Sequence, residues 1–442
     1  MTSPREAAFL SLCSCEEKQK YANLELDATI RRYGFTGADR ALYTALLYGV
    51  IEKRLTLDYY LSRVATTPPE KMESRVRNIL RLGLYQILFM DAIPDRAAVN
   101  ESVELSKLHS HKGADKFVNA VLRGAIRKKE ELVPPSEEKE GAARCLSIRF
   151  SLPEWLCESW ISMYGRECAG KLAEASCRHP MLTLRVNTLK TDRESVLSLL
   201  RRDGIECEPS PIAPYGIRLT SYAAVSDLGV LRDGLCFVQD EASQLCTEAV
   251  MAQPGETVVD TCCCPGGKSF GIALSMQNQG FLLSLDLHAS KLSLVEEGAN
   301  RLGIMNLKTR VHNGSHPLAE MLGKADRVLC DVPCSGLGVI AKKPDLREKD
   351  PESLAKLPSV QYEILKAGAA YLKPGGRLIY STCTVNVKEN EEVAKRFLSE
   401  NTSDFEEAPL SVFPDEKEVC MKTLFPFEHD TDGFFLAAFR RK

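Results

Sequence analysis

VVDTCCCPGGKS, residues 258 to 269, is the stretch on which the architecture turns. An apolar run ends at Asp260, Pro265-Gly266-Gly267 makes a tight turn, and helix-compatible sequence resumes near Lys268. Glycine at such a strand-to-helix turn lets a ligand approach the backbone and leaves the helix's first N–H groups facing it. The stretch is not a Walker loop, because GxxxxGK[ST] needs glycine at position 262, which is Cys, and it is not the dinucleotide pattern GxGxxG. The next strand, LLSLD, closes with Asp286, 19 residues beyond Gly267, where doubly wound nucleotide binders direct a carboxylate at ribose hydroxyls. Turn and acid together suit a nucleoside ligand without a large phosphate clamp. S-adenosylmethionine fits that description better than NAD, for which a second phosphate-binding signature is missing.

Outward from this point the chain alternates strand, loop and helix. Strands are predicted at 257–260, 281–287, 307–311, 327–331, 377–381 and 434–439, so residues 235–442 read as an α/β domain with a mainly parallel, doubly wound sheet and its chemistry at the carboxyl ends of the strands. Residues 142–234 are mixed: EWLCESWISMYG and RESVLSLLRRDG have helical spacing, MLTLRVNTL and GIRLT read as strands, and the segment is a small α+β domain. Residues 133–141, VPPSEEKEG, are polar, aperiodic and proline-containing, which marks a linker. Residues 1–132 repeat apolar positions at three- and four-residue spacing between short breaks such as Thr66-Thr67-Pro68-Pro69, the pattern of an all-α bundle of six or seven helices.

Composition excludes several classes. With 442 residues, 44% hydrophobic and 26% charged, the chain is of ordinary globular composition and long enough for several domains. The longest uncharged stretch, Ser269 to Leu285, has 17 residues and includes Gln277, Asn278 and Gln279, so no membrane span is expected. Arg5, Glu6, Glu16 and Glu17 leave no apolar core for a signal peptide, an indication of the cytoplasm, where the 16 cysteines are expected to be thiols. The net charge of -3 divides unevenly: residues 1–132 hold 21 Lys/Arg against 17 Asp/Glu, a modest basic excess that is as compatible with a solvated helical surface as with a phosphate-binding face.

Two of the cysteines stand at corresponding places. The fourth strand of the α/β domain runs into RVLCDVPCSGLGV, placing Asp331, Pro333 and Cys334 on the loop that follows, and the fifth runs into RLIYSTCTVNVKENEEV, placing Cys383 likewise. Adjacent strands bring both thiols to one cleft. A single strand-end cysteine is ordinarily a buried hydrophobe, but a matched pair is more than that. Zinc does not suit the spacing, since there is no CxxC pair and histidines are few, and no metal is expected.

DTCCCPGGKS, DVPCSGLGVIAKKPDLR and YSTCTVNVKENEEV resemble motifs I, IV and VI of the RNA cytosine-5 methyltransferases, and the resemblance extends over the whole chain. The amino-terminal bundle is similar to the NusB-like RNA-binding domain of some members, and FVQDEASQL at 237–245 to the segment entering their catalytic domain. The resemblance implies a class I, Rossmann-like methyltransferase that uses S-adenosylmethionine to methylate carbon 5 of a cytosine in 16S rRNA, free or within an assembling small subunit. Cys383 is implied as the nucleophile adding to carbon 6, which makes carbon 5 reactive toward the methyl group. Cys334 is implied in the elimination that releases the base, and Asp331 in hydrogen bonding to the ring nitrogen and amine. Cys262, Cys263, Cys264, Pro265, Gly266, Gly267 and Lys268 would line the methionine and ribose side of the cofactor, Asp286 would hold the ribose hydroxyls, and Asp331 would border both ligands. Two departures stand out: His312-Asn313 replaces the usual Gly-Asp pair, leaving Asn313 to meet the adenine amine through its amide oxygen, and Cys263 and Cys264 replace residues commonly small and apolar. Transfer RNA is the alternative substrate. A non-catalytic RNA-binding factor is the alternative class, and the intact cysteine motifs argue against it. For rRNA, Arg75, Arg77, Arg81, Arg123, Arg127, Lys128 and Lys129 are the candidate phosphate contacts, with a solvated helix face as the competing reading.

Overall fold

The computed structural model describes residues 2–18, 20, 22–178, 180–221, 225–413 and 419–442. Two compact units divide the chain: Met1–Arg178 with Lys343–Lys349, and His179–Lys342 with Asp350–Lys442.

In the first unit, seven helices (Pro4–Lys18, Ala22–Tyr33, Gly37–Glu52, Arg54–Val64, Ser74–Phe89, Asp95–His109 and Ala114–Arg127) enclose an apolar core. The last of these shows why the sequence folds this way: Val118, Val121, Leu122 and Ala125 recur on one side and are buried, while Arg123 on the other is exposed. Leu46, Leu47, Leu80 and Leu122 are fully enclosed, each contributing about 1.5–3 kcal/mol over an exposed position. Helices Ala142–Phe150 and Glu154–Ala175 fall within this compact unit, where Thr56 Oγ1 donates to the Ile148 carbonyl and Leu55 N to Ser151 Oγ. Lys343–Lys349 joins them through buried Arg347, which donates to the carbonyls of Glu52 and Ser176, each at 2.8 Å. Two of the cations expected to meet phosphate are occupied internally. Arg81 is buried and paired through both arms with Asp58, and Arg77 is paired with Glu16. Arg123, Arg127, Lys128 and Lys129 remain at the surface or partly so.

The second unit contains two sheets. Strands β1 (Leu182–Val186), β2 (Cys207–Pro209), β3 (Gly216–Leu219) and β4 (Cys236–Val238) form an antiparallel sheet in the order β2-β3-β1-β4, with helix Arg193–Arg202 capped by Asp192 accepting from Ser195 N. The larger sheet comprises β5 (Thr257–Asp260), β6 (Phe281–Asp286), β7 (Leu307–Val311), β8 (Ala325–Asp331), β9 (Leu372–Thr382), β10 (Phe405–Glu407), β11 (Met421–Leu424) and β12 (Phe434–Arg441). Its order is β10-β12-β9-β8-β5-β6-β7, with β11 beside β12; β5 to β9 are mutually parallel and β12 is antiparallel to β9. Side chains alternate between its faces with period two: Val258, Leu282, Leu329 and Ile379 pack on the side of helices Glu241–Val250, Gly267–Ser275 and Ala289–Leu302, whereas Val259, Leu283, Val328 and Leu378 pack with Leu357–Ala369 and Glu391–Glu400. This is the expected mainly parallel, doubly wound arrangement. Its winding reverses between β5 and β8, which opens a crevice at their carboxyl ends. No helix among the described residues is long and apolar enough to cross a membrane.

Candidate active site

At the end of β5 the chain turns through Cys262 to Gly266 into helix Gly267–Ser275. Gly266 has φ +111°, and a Cβ there would lie 2.5 Å from the Phe270 ring, so both conformation and space require glycine. The turn is held by Cys263 N donating to the Leu285 carbonyl and Gly266 N to the Cys263 carbonyl. Beneath it Asp260 is fully buried, accepting from Ser269 Oγ at 2.7 Å and from Cys262 N. Burial, reinforced by the nearby Asp331, pushes its carboxyl up to about 7 against the opposing bond from Ser269.

A cavity of about 380 Å³ opens over this turn, lined among others by Asp260, Cys262, Cys263, Cys264, Pro265, Gly267, Lys268 and Asp331. Of the predicted cofactor residues, Asp286 and Asn313 stand at the carboxyl ends of β6 and β7 and outside its lining. Asp286 Oδ1 accepts from His288 N, and Asn313 Oδ1 from Ser315 N.

Lys268 connects the turn to the next strand end, its Nζ donating to Asp331 Oδ2 at 2.7 Å. Burial opposes its charge, but Asp331, Cys246 and Cys383 outweigh burial and raise its pKa. The other oxygen of Asp331 accepts from Ser381 Oγ at 2.8 Å, which fixes the carboxylate plane. Cys334 and Cys383 lie one on each neighbouring loop with their sulfurs 3.1 Å apart. The bond to Cys383, followed by burial, raises the Cys334 pKa. Proximity to the Lys268 ammonium favours negative charge on Cys383.

The two loops share a buried clasp. Glu389 Oε2 accepts from Ser335 N at 2.8 Å and Gln361 Nε2 at 2.9 Å, while its Oε1 accepts from Asn386 Nδ2. Gln361 also donates to the Pro333 carbonyl, Asn390 bridges Thr382 and the Thr384 carbonyl, and Ser335 Oγ meets Thr384 Oγ1 at 2.8 Å.

A family model described as 16S rRNA methyltransferase RsmB/F matches residues 248–440, the NusB family matches 2–127, and an RsmF/B-like ferredoxin-like domain matches 152–226. A relative from Bacillus subtilis, named "Probable ribosomal RNA small subunit methyltransferase B", is 38% identical over 450 residues covering 100% of this chain and 99% of its own. The chain belongs to the RsmB/F family of rRNA methyltransferases. Among solved structures, PH0851 aligns over 99% of both chains with a TM-score of 0.83 and 25% identity. NSun6 from Pyrococcus horikoshii, solved with SFG, aligns over 65% of this chain and 98% of its own with a TM-score of 0.59 and 22% identity, a likeness of fold.

In this RsmB/F chain the sequence reading passed over several residues of the site. Asp240, Lys342 and Asp432 line the cavity; Asp240 and Lys342 stand inside the quoted FVQDEASQL and DVPCSGLGVIAKKPDLR stretches, but the ion pairs that join the three span 102 and 90 residues, so no local pattern shows that they meet. Asp260 entered the reading only as the end of a strand. Glu389 and Asn390 stood inside the quoted KENEEV string without being singled out, and both are fully buried.

Proposed function

We propose that the protein transfers a methyl group from S-adenosylmethionine to carbon 5 of a cytosine in small-subunit (16S) rRNA, through a covalent bond between Cys383 and carbon 6. The observation that carries this reading is the Cys334–Cys383 pair, with sulfurs 3.1 Å apart, beside the Lys268–Asp331 ion pair. S-adenosylmethionine supplies an electrophilic methyl group when bound. The chain's residues suit it: a turn at the winding reversal that only glycine fits, a cavity in the small-molecule size range, and carboxylates at Asp260 and Asp286 for an ammonium and ribose hydroxyls. Cys262, Cys263, Cys264, Pro265 and Gly267 would hold the methionine and ribose side, and Asn313 the adenine edge.

Each remaining step belongs to protein groups. The Cys383 thiolate adds to carbon 6, and the 5,6 double-bond electrons become available at carbon 5 for the methyl group. Lys268 favours the thiolate, and Asp331, fixed by Ser381 and Lys268, supports protonation of the ring nitrogen as the ring accepts electrons. After transfer the carbon–sulfur bond breaks as Cys334, adjacent to the leaving sulfur, gives its proton to Cys383, and the Cys334 thiolate so formed takes the carbon-5 proton as the double bond re-forms. The target must be unpaired or flipped out, because a stacked base hides carbon 6.

The test is incubation with unmodified small-subunit RNA and, separately, transfer RNA in the presence of methyl-labelled S-adenosylmethionine. Label in cytosine of the ribosomal RNA is expected. Label confined to transfer RNA, or absent from cytosine, would refute the assignment.

A further inference from the structure

The cavity that contains Lys268 and Asp331 carries a second charged cluster, Asp240, Lys342 and Asp432. Asp240 is consumed by the fold: its Oδ1 accepts from Ala242 N, Thr431 Oγ1 and Asp432 N, and its Oδ2 from Lys342. Asp432 is not. Its Oδ2 accepts from Lys342 Nζ at 2.9 Å, and its Oδ1 has no hydrogen-bond partner among the described residues.

Asp432 is held in the same frame as the two thiols. Gly433 N donates to the Gly338 carbonyl at 2.8 Å, and Gly338 N to the Cys383 carbonyl at 3.1 Å. The Gly338 and Gly433 backbones are so close that a Cβ on Gly338 would lie 1.9 Å from the Gly433 carbonyl oxygen, so this junction admits no side chain. Two residues further on, the Phe434 ring centroid lies 5.1 Å from Lys268 Nζ. The backbone that carries Asp432 is therefore tied to that of Cys383 and to the neighbourhood of Lys268, and Lys342 holds its carboxylate through Oδ2. Asp331 already has one bond on each oxygen, from Ser381 and Lys268.

We infer that Asp432, held by Lys342, reads the exocyclic amine of the target cytosine and excludes uridine. The inference rests on the proposed function, since it concerns the base that Cys383 attacks. Cytosine presents amine hydrogens at position 4 to a carboxylate oxygen. Uracil presents a carbonyl there, setting acceptor against acceptor, and sites built around such a hydrogen bond reject the wrong isostere strongly.

The charge state of Asp432 supplies an independent handle. Burial raises its carboxyl first and Asp240 adds to the rise, while Lys342 and Lys268 oppose it, leaving the group at about 7. These facing groups come from the cap of helix Glu241–Val250, the loop after β8 and helix Gly267–Ser275. Below that pH the neutral acid can donate to a uracil carbonyl; above it the carboxylate only accepts. Discrimination therefore increases as pH rises through about 7.

The wild-type protein is first used to map the methylated position in small-subunit RNA, and paired transcripts are then made with cytidine or uridine there. The readout is the ratio of kcat/KM for the two across about one pH unit either side of about 7. Titration of the thiols cancels in this ratio, because both transcripts require the same nucleophile and donor. The ratio should rise with pH in wild type, and in Asp432→Asn it should fall by at least ~10-fold and lose its pH dependence. An active wild type with a pH-independent ratio, or a folded Asp432→Asn with the wild-type ratio, overturns the inference alone. The wild-type pH series decides the matter even where the variant does not fold. A wild type that methylates no cytosine overturns the proposed function and this inference with it.

Discussion

Replacing Glu389 by glutamine tests the idea that a buried carboxylate aligns the two cysteine loops. Glu389 is fully enclosed and accepts from Ser335 N, Gln361 Nε2 and Asn386 Nδ2. Hydrogen bonds to a charged acceptor contribute about 1.5–3 kcal/mol and those to a neutral one about 0.5–1.5, so each of the three loses about 1 kcal/mol. In addition, the new amide presents hydrogens where a donor already points. Glu389→Gln should therefore destabilise by about 3 kcal/mol, which in a unit of this size corresponds to about 2–4 °C of Tm for each kcal/mol. The activity effect comes from geometry: Ser335 directly follows Cys334, and a displacement of about 1 Å in a reacting group costs about 100-fold in rate. Glu389 lies outside the lining of the cofactor cavity, so binding of S-adenosylmethionine by calorimetry should be unchanged. The assay is single-turnover methyl transfer at saturating donor, alongside a thermal melt. Wild-type turnover in Glu389→Gln would refute the argument, as would a loss of turnover that simply followed weakened donor binding.

Cys383→Ala should abolish both methyl transfer and any covalent RNA complex, whereas Cys334→Ala should accumulate that complex on denaturing gels; the opposite pattern would exchange their roles. Lys268→Met removes the ammonium that favours the Cys383 thiolate, so alkylation of Cys383 by iodoacetamide at neutral pH should slow, and an unchanged rate would exclude the electrostatic role. The raised carboxyl of Asp260 contributes stability that is complete below the unfolded value of 3.8 and lost as pH rises through about 7, so Asp260→Asn should flatten the dependence of the urea midpoint on pH over that window; parallel profiles for variant and wild type would show the opposite. In the bundle, Arg81→Met leaves Asp58 without its buried partner and should cost about 3–5 kcal/mol in chemical denaturation. Paired substitution of Lys128 and Lys129 by alanine should instead preserve stability and reduce the salt dependence of RNA binding, and a stability loss as large as that of Arg81→Met would remove the distinction.

The fold was legible wherever hydrophobic spacing matched a single period. The sheet strands read as short apolar runs because each face packs against its own helix layer, and the Pro265-Gly266-Gly267 turn is visible because only glycine tolerates that approach to Phe270. Helices 142–150 and 154–175 were harder to place, because amphipathic spacing shows that a helix has a buried face without showing which core receives it. The thiol pair could be read because each cysteine follows a strand and the strands are neighbours. The grouping of Asp240, Lys342 and Asp432 could not: a carboxylate 102 residues before its lysine carries no sign of that partner. Arg81 illustrates the reverse difficulty, a cation on a basic helix whose burial depends on a partner from another helix.

The cysteine-rich turn also bears on chemoselectivity. A sulfonium donor seated over Cys262, Cys263 and Cys264, with Cys334 nearby, would be surrounded by sulfur atoms able to take its methyl group. Desolvation raises all three of the turn's thiols, Cys264 to about 12, and Cys334 is raised by its bond to Cys383, which favours the protonated, less nucleophilic form of each, whereas Cys383 borders the Lys268 ammonium. In the proposed reaction, burial of the turn would thus limit self-alkylation, and a change that hydrated it would expose competing acceptors in the wall of the cavity.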